Sequence, residues 1–137
     1  MVLPKGQQLA VQSSFKAVES NPDSFAAAFY GHLFEHDQSL RRLFKIDLKQ
    51  QGDVLVRMLT LAVAGLDHPD DLEPMLHDLG LHHAGFGVKA DDYETFGIAL
   101  TQTLGELLGA QFTPDIAEAW AAFYKFLATG SIAGMHE

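Results

Sequence analysis

The sequence predicts an all-α protein, and three observations predict it. Apolar residues recur three or four positions apart in each long segment, as in Phe25, Phe29 and Leu33 or Phe96, Leu100 and Leu104, which is one face of a helix. No segment shows the period-two alternation of a half-buried strand. Helix starts and stops punctuate the chain, Asn21-Pro22-Asp23 and Thr113-Pro114-Asp115 among the starts, Gly85, Gly87 and Gly109 among the stops. With no internal repeat, low-complexity tract or linker, residues 1–137 read as one domain of six or more helices.

In chain order, Pro4 to about Ser20 reads as a first helix with Leu9, Phe15 and Val18 on its apolar side. Asn21 then caps a helix whose buried face is Phe25, Phe29 and Leu33, widened by Tyr30 and Phe34. Asp37 caps a short turn through Leu40, Leu43 and Phe44. Lys45 to Lys49 reads as a loop before a long helix to about Leu66, with Leu55, Met58, Leu59, Ala62 and Leu66 inward and Gln51 one turn ahead of Leu55. Asp67 as N-cap and Pro69 near the first helical position open the next helix. Its face runs Leu72, Leu76, Leu79, His83 at spacings of four, three and four, and Gly85 and Gly87 end it. Asp91 and Glu94 form a capping box for a helix burying Phe96, Leu100, Leu104 and Leu107. The last helix starts at Thr113-Pro114 and buries Ile116, Trp120, Phe123 and Leu127, with Gly130 and Gly134 predicting a frayed tail. A short turn at Asp37–Phe44 between longer helices suits oblique packing better than an up-and-down bundle.

Composition narrows the functions. At 137 residues and 47% hydrophobic content the chain can bury a real core. No apolar run nears the roughly 20 residues that span a bilayer, and no signal-peptide pattern opens the chain, so the expected location is cytoplasmic. A net charge of −9 argues against nucleic acid, whose phosphates demand a basic face. The acidic residues are dispersed and read as a solvated surface. With no cysteine there is no disulfide, no thiolate metal site, no cysteine nucleophile and no thioether attachment of haem. A cofactor or metal must be held by histidine, carboxylate or packing.

Four side chains are polar or aromatic where an aliphatic would serve packing. His83 ends a stripe of leucines, while His82 falls about 100° off that face. Read alone, His83 is either a core histidine bonded to a carbonyl or a metal ligand. Tyr30 borders an apolar face, Gln51 heads the Leu55 stripe, and Phe44 closes a short turn. Each singly has a packing explanation: a half-buried tyrosine, a first-turn glutamine, a core plug.

Together these residues resemble the globins, most closely the bacterial single-domain globins and the globin half of flavohaemoglobins. The resemblance covers nearly the whole chain. It rests on Phe29-Tyr30-x-x-Leu33-Phe34, Leu43-Phe44, Gln51-x-x-x-Leu55, His83-x-x-x-Gly87-Val88, Tyr93 and Ala119-Trp120-x-x-x-Tyr124 in the family's order. It implies the globin fold, six to eight obliquely packed helices around a haem pocket, with haem b (iron protoporphyrin IX) as cofactor. It further implies His83 as the ligand to a pentacoordinate iron and Phe44 as the ring packed on the porphyrin. Leu55, Leu79, Val88, Tyr93 and Phe96 would complete the cofactor site, and Tyr30, Gln51 and Leu55 the ligand-binding side.

A phenol and a carboxamide can both donate hydrogen bonds to a gas that gains negative charge on binding. Each such bond contributes roughly 1.5–3 kcal/mol, about a tenfold to hundredfold effect on dissociation, and predicts high O2 affinity. In the flavohaemoglobin group the counterpart of His83 is tied to a Tyr and a buried Glu. Tyr93 matches the Tyr, but the Glu's place falls on Met135, with Glu137 two residues on. Without that carboxylate the imidazole is less basic, which favours gas binding over peroxidase-type activation. The first functional expectation is therefore reversible binding of O2, with NO and CO as further ligands. The alternative is a nitric oxide dioxygenase working with an external reductase. A sensor is disfavoured, because no output domain follows Glu137. A two-iron site is set aside, because it wants Glu-x-x-His on two helices and only Glu73-x-x-x-His77 is present. His82 and Lys49 are candidates for the propionates, and the expected assembly is a monomer or homodimer.

Overall fold

Short polar residues set most helix starts, though not always the ones the spacing nominates. The computed structural model describes residues 3–44, 47–85 and 87–135, with residues 69, 82–85 and 135 described by backbone alone. The elements are α1 (Lys5–Ser20), α2 (Pro22–His36), a 3-10 turn (Gln38–Leu43) and α3 (Leu48–Ala64). A second 3-10 turn (Gly65–Asp67), α4 (Pro69–Gly85), α5 (Asp92–Leu108), a third 3-10 turn (Gly109–Gln111) and α6 (Pro114–Met135) follow. Among the described residues there is no strand.

The Asp37 carboxylate accepts from Ser39 N at 3.0 Å and caps the first 3-10 turn as expected. Asp47 does the same for α3 through Lys49 N at 3.1 Å, so that helix begins inside the stretch read as a loop. Three predicted caps are not made. Asn21 turns back and donates from Nδ2 to Ala17 O at 3.1 Å, serving the end of α1. Asp67 lies in the 3-10 turn, where its Oδ1 accepts from Gln8 and Gln12 of α1 at 2.9 and 3.2 Å. Asp91 has helical φ and ψ of −63° and −27°, and its side chain makes no cap hydrogen bond. An N-cap needs an extended conformation to aim its side chain at the first turn. Asp92 Oδ2 instead accepts from Lys89 N at 2.9 Å.

α4 lies mainly against α6, α2 against α5 and α3, and α1 against α6. The interior holds Phe15, Phe25, Leu33, Leu40, Leu104 and Phe123, each nearly or wholly buried. Each such side chain is worth roughly 1.5–3 kcal/mol in burial. Trp120 packs edge-on to Phe123 with ring centroids 5.6 Å apart, and its Nε1 donates to Ser14 Oγ at 2.8 Å. Leu9 proves 50% exposed, and Val11 takes its place beside Phe15 and Val18. Leu9 and Phe15 are six residues apart, about 240° around a helix, whereas Val11, Phe15 and Val18 share a face.

The glycines do not end the last helix. α6 stays helical to Met135, and its glycines are where α4 comes closest. A Cβ at Gly130 would sit 2.8 Å from Leu76 Cδ1, one at Gly134 would collide with the His77 carbonyl, and one at Gly80 with the Ser131 carbonyl. Main chain meets main chain along this seam.

Candidate functional site

Tyr30, near the middle of α2, is 5% exposed, because Phe25, Phe29 and Leu33 pull that face of the helix inward. Its ring stands edge-on to Phe29 and to Phe44, each at 5.2 Å between centroids, and stacks on Phe34 at 6.1 Å. Phe44 reaches this cluster because the 3-10 turn buries Leu40 and so folds the chain back over α2. The Tyr30 hydroxyl donates to the main-chain carbonyl of Gln51 at 3.3 Å. That is long for an O–H···O bond and correspondingly weak. Desolvation pushes the phenol's pKa well above its ordinary value, the Gln51 side chain opposing, so Tyr30 stays protonated and a donor at physiological pH.

The structure thus brings together Tyr30, Gln51 and Phe44 from three separate elements. Gln51 and Leu55, on the first turns of α3, are half-buried, as are Phe44, Leu79 and Phe96. Phe44, Leu55 and Phe96 each pack against the core with one side and leave the other open.

A second group forms where α5 begins. Tyr93 is 6% exposed and stands edge-on to Phe96 at 5.8 Å. Tyr124 of α6 donates its hydroxyl to the Tyr93 carbonyl at 2.5 Å. Burial raises the pKa of Tyr93 above its ordinary value, with the Ser131 hydroxyl beside it opposing, and burial likewise raises that of Tyr124. Val88 is buried just before this helix, after Gly87, whose φ of 96° suits only a residue without a side chain. A Cβ at Gly87 would lie 3.7 Å from Leu43 Cδ2, so the segment after α4 meets the turn that carries Phe44. The backbone of His83 lies in the last turn of α4, one turn after Gly80; its side chain, like those of His82 and Met135, falls outside what is described, as does Glu137 entirely.

The Globin family model matches residues 27–131. The chain belongs to the globin family. This globin is 31% identical over 110 residues to a flavohemoprotein of Rhizobium meliloti, covering 78% of the chain and 27% of that relative. It is 28% identical over 121 residues to the flavohemoprotein of Vibrio cholerae, covering 86% and 31% respectively. The chain therefore spans under a third of the length of these curated relatives. Among solved structures it superposes, with a TM-score of 0.88 and 26% identity, on an engineered carbene transferase. The parent of that enzyme, from Rhodothermus marinus, is provisionally assigned as a nitric oxide dioxygenase; the match covers 98% of this chain and 94% of that one. The expected fold is the observed one. Among the described residues no helix is long and apolar enough to cross a membrane.

Reading the spacing alone missed the α4–α6 seam. Gly130-x-x-x-Gly134 on α6 is a legible small-residue spacing, and Gly80 is the small residue facing it. It missed Arg41 as well, whose guanidinium lies over the Phe34 ring at 5.3 Å. Ser131, 1% exposed beside Tyr93, carried no sequence signal, because one serine in a helix has many packing explanations.

Proposed function

We propose that residues 1–137 form one globin domain that holds haem b through His83 and binds O2 reversibly, with NO and CO as further ligands. The observation that carries this reading is the meeting of Tyr30 and Gln51 beside Phe44, from elements far apart in sequence. A buried phenol kept protonated is a donor that needs an acceptor. Its present partner at 3.3 Å is weak enough to be exchanged for a better one. The half-open apolar sides of Phe44, Leu55 and Phe96 suit a flat apolar group, which is the shape of a porphyrin. Leu79, Val88 and Tyr93 would complete that lining, and His83, the one histidine on the leucine stripe of α4, would be the iron ligand. Haem supplies the pentacoordinate iron at which a diatomic gas binds. Tyr30 and Gln51 then supply hydrogen bonds and Leu55 the bulk that keeps water away.

A second reading, nitric oxide dioxygenase, is supported by the flavohemoprotein relatives and by the Rhodothermus marinus neighbour. In that reading electrons come from a reductase outside residues 1–137. A cytoplasmic setting and a monomer or homodimer are part of the same proposal.

Reconstitution with haem tests it. The wild type is expected to give a Soret band and a five-coordinate ferrous spectrum, and His83→Ala to lose the proximal signature. A colourless wild type, or unchanged ligation in His83→Ala, overturns the reading. NO consumption that appears only when a reductase is added would select the enzyme over the carrier.

A further inference from the structure

Two residues on from Tyr30, and so about 200° around α2, a different set of side chains meets α5. His32 Nε2 lies 2.7 Å from Glu106 Oε1, and His36 Nε2 lies 2.8 Å from Gln102 Oε1. The two histidines are four apart on α2, as Gln102 and Glu106 are on α5, so the four form two rungs between the helices. Residues at that spacing stand one above the other on a helix. His36, Gln102 and Glu106 are exposed and free to turn. The His32 side chain, 18% exposed, is held between the helices.

His32-Leu33-Phe34-Glu35-His36 has the order His-x-x-Glu-His on a helix, a spacing with which one class of zinc peptidases holds its metal. The order alone is a short pattern that a chain can carry by chance. What lifts it here is the other ring nitrogen of His32. That Nδ1 is buried without a hydrogen bond, and Glu35 Oε2 stands 3.6 Å away. A histidine that binds a metal through Nε2 keeps its proton on Nδ1 and donates it to a carboxylate or a carbonyl. Glu35 is in position to accept it. Nε2 already faces the Glu106 carboxylate. Ligand atoms about 2.1 Å from a tetrahedral zinc stand roughly 3.4 Å from each other, so this pair need part only slightly. Among the described residues no three such side chains converge on one point as they stand. The remaining step is a turn of the exposed His36 ring away from Gln102 and toward the Glu106 rung.

We infer that the α2–α5 seam binds one zinc ion through His32 Nε2, His36 Nε2 and the Glu106 carboxylate, with Glu35 fixing the His32 ring and water in the fourth position. Two imidazoles and a carboxylate are a donor set that zinc takes. The ion ties α2 to α5 from outside, and the site uses none of the side chains assigned above to haem or gas.

The test is calorimetric titration of the full chain with zinc chloride, both without haem and after haem reconstitution. One zinc per chain is expected in each state, with a rise in melting temperature, because an ion that binds only the folded chain stabilises it. His36→Ala and Glu106→Gln, both at exposed positions, are each expected to weaken binding at least tenfold and to leave the zinc-free circular dichroism unchanged. In NMR spectra of the haem-free chain, zinc is expected to shift the ring signals of His32 and His36. Absence of saturable binding, unchanged affinity in either variant, or shifts confined to other histidines would overturn the inference. A chain that takes up no haem but binds zinc through His36 sinks the function proposed above and leaves this site standing. The reverse result sinks only this site.

Discussion

The α4–α6 seam and the α2–α3 face are packed by opposite means. Along the seam, Gly80 meets the Ser131 carbonyl, Gly134 meets the His77 carbonyl, and Gly130 meets Leu76. At the two carbonyl contacts nothing can shift without moving a helix, whereas Leu76 meets Gly130 with its side chain. At the α2–α3 face a Cβ on Gly52 would lie 2.8 Å from Ala26 Cβ, the Tyr30 hydroxyl makes one long hydrogen bond to Gln51, and the Tyr30 ring packs on Phe29, Phe34 and Phe44 with centroids 5.2 to 6.1 Å apart. The helix that carries His83 is therefore held by backbone contact. The side that presents Tyr30 is held by contacts that can be traded.

The largest expected effect breaks the rigid half. Gly80→Leu puts a branched side chain where even a methyl collides with main chain, and overpacking against backbone finds no rotamer that relieves it. A loss of about 3 kcal/mol or more in urea unfolding is expected, along with loss of haem uptake. A variant as stable as the wild type would mean that α4 and α6 are not in backbone contact.

Next in size is a change on the adjustable half that should spare stability. Tyr30→Phe removes a hydroxyl whose present bond is long, so unfolding should change by under about 1 kcal/mol. If that hydroxyl serves the gas, O2 dissociation should speed up roughly tenfold to hundredfold in stopped flow. Unchanged dissociation would remove Tyr30 from the gas-binding side.

Tyr124→Phe probes the join between α5 and α6. Its hydroxyl meets the Tyr93 carbonyl in a short bond at a largely buried place, and the carbonyl would lose that partner. An intermediate cost of about 1 kcal/mol is expected in the same unfolding assay. No measurable cost would mean that water or another group replaces the phenol.

The same contrast decides what was legible in the sequence. Faces set by one helix's own period came through: Phe25, Phe29 and Leu33 on α2, Leu72 and Leu76 on α4, Trp120 and Phe123 on α6. So did the short turn after Asp37, because a side chain two residues from its acceptor is a local matter. What failed were features whose meaning depends on a neighbouring helix. Asp67 looks like a cap until Gln8 and Gln12 of α1 claim its carboxylate. Gly130 and Gly134 look like helix breakers until α4 is laid against them. In the candidate site, the order Tyr30, Phe44, Gln51 was readable through family resemblance. That the phenol finds the Gln51 main chain was not, because a main-chain acceptor leaves no trace in residue identity.

The smallest effect lies at the opposite edge of α2, where His32 joins α5. Its Nε2 is 2.7 Å from Glu106 Oε1, and its Nδ1 has no hydrogen bond, with Glu35 Oε2 at 3.6 Å. The hydrogen bond to Glu106 is the main cause that raises the imidazole's pKa above 6.5, with the Glu106 and Glu35 charges adding and desolvation opposing. A raised folded-state pKa stabilises fully only below the unfolded value, and the contribution fades as pH climbs through the folded one. Because both carboxylates are well exposed, solvent screens the pair to a few tenths of a kcal/mol. Glu106→Gln should therefore lower the melting temperature slightly at pH 5.5 and leave it unchanged at pH 8.5. A difference that grew with pH would mean that His32 is neutral against Glu106 and that α2 and α5 are joined here by a hydrogen bond without charge.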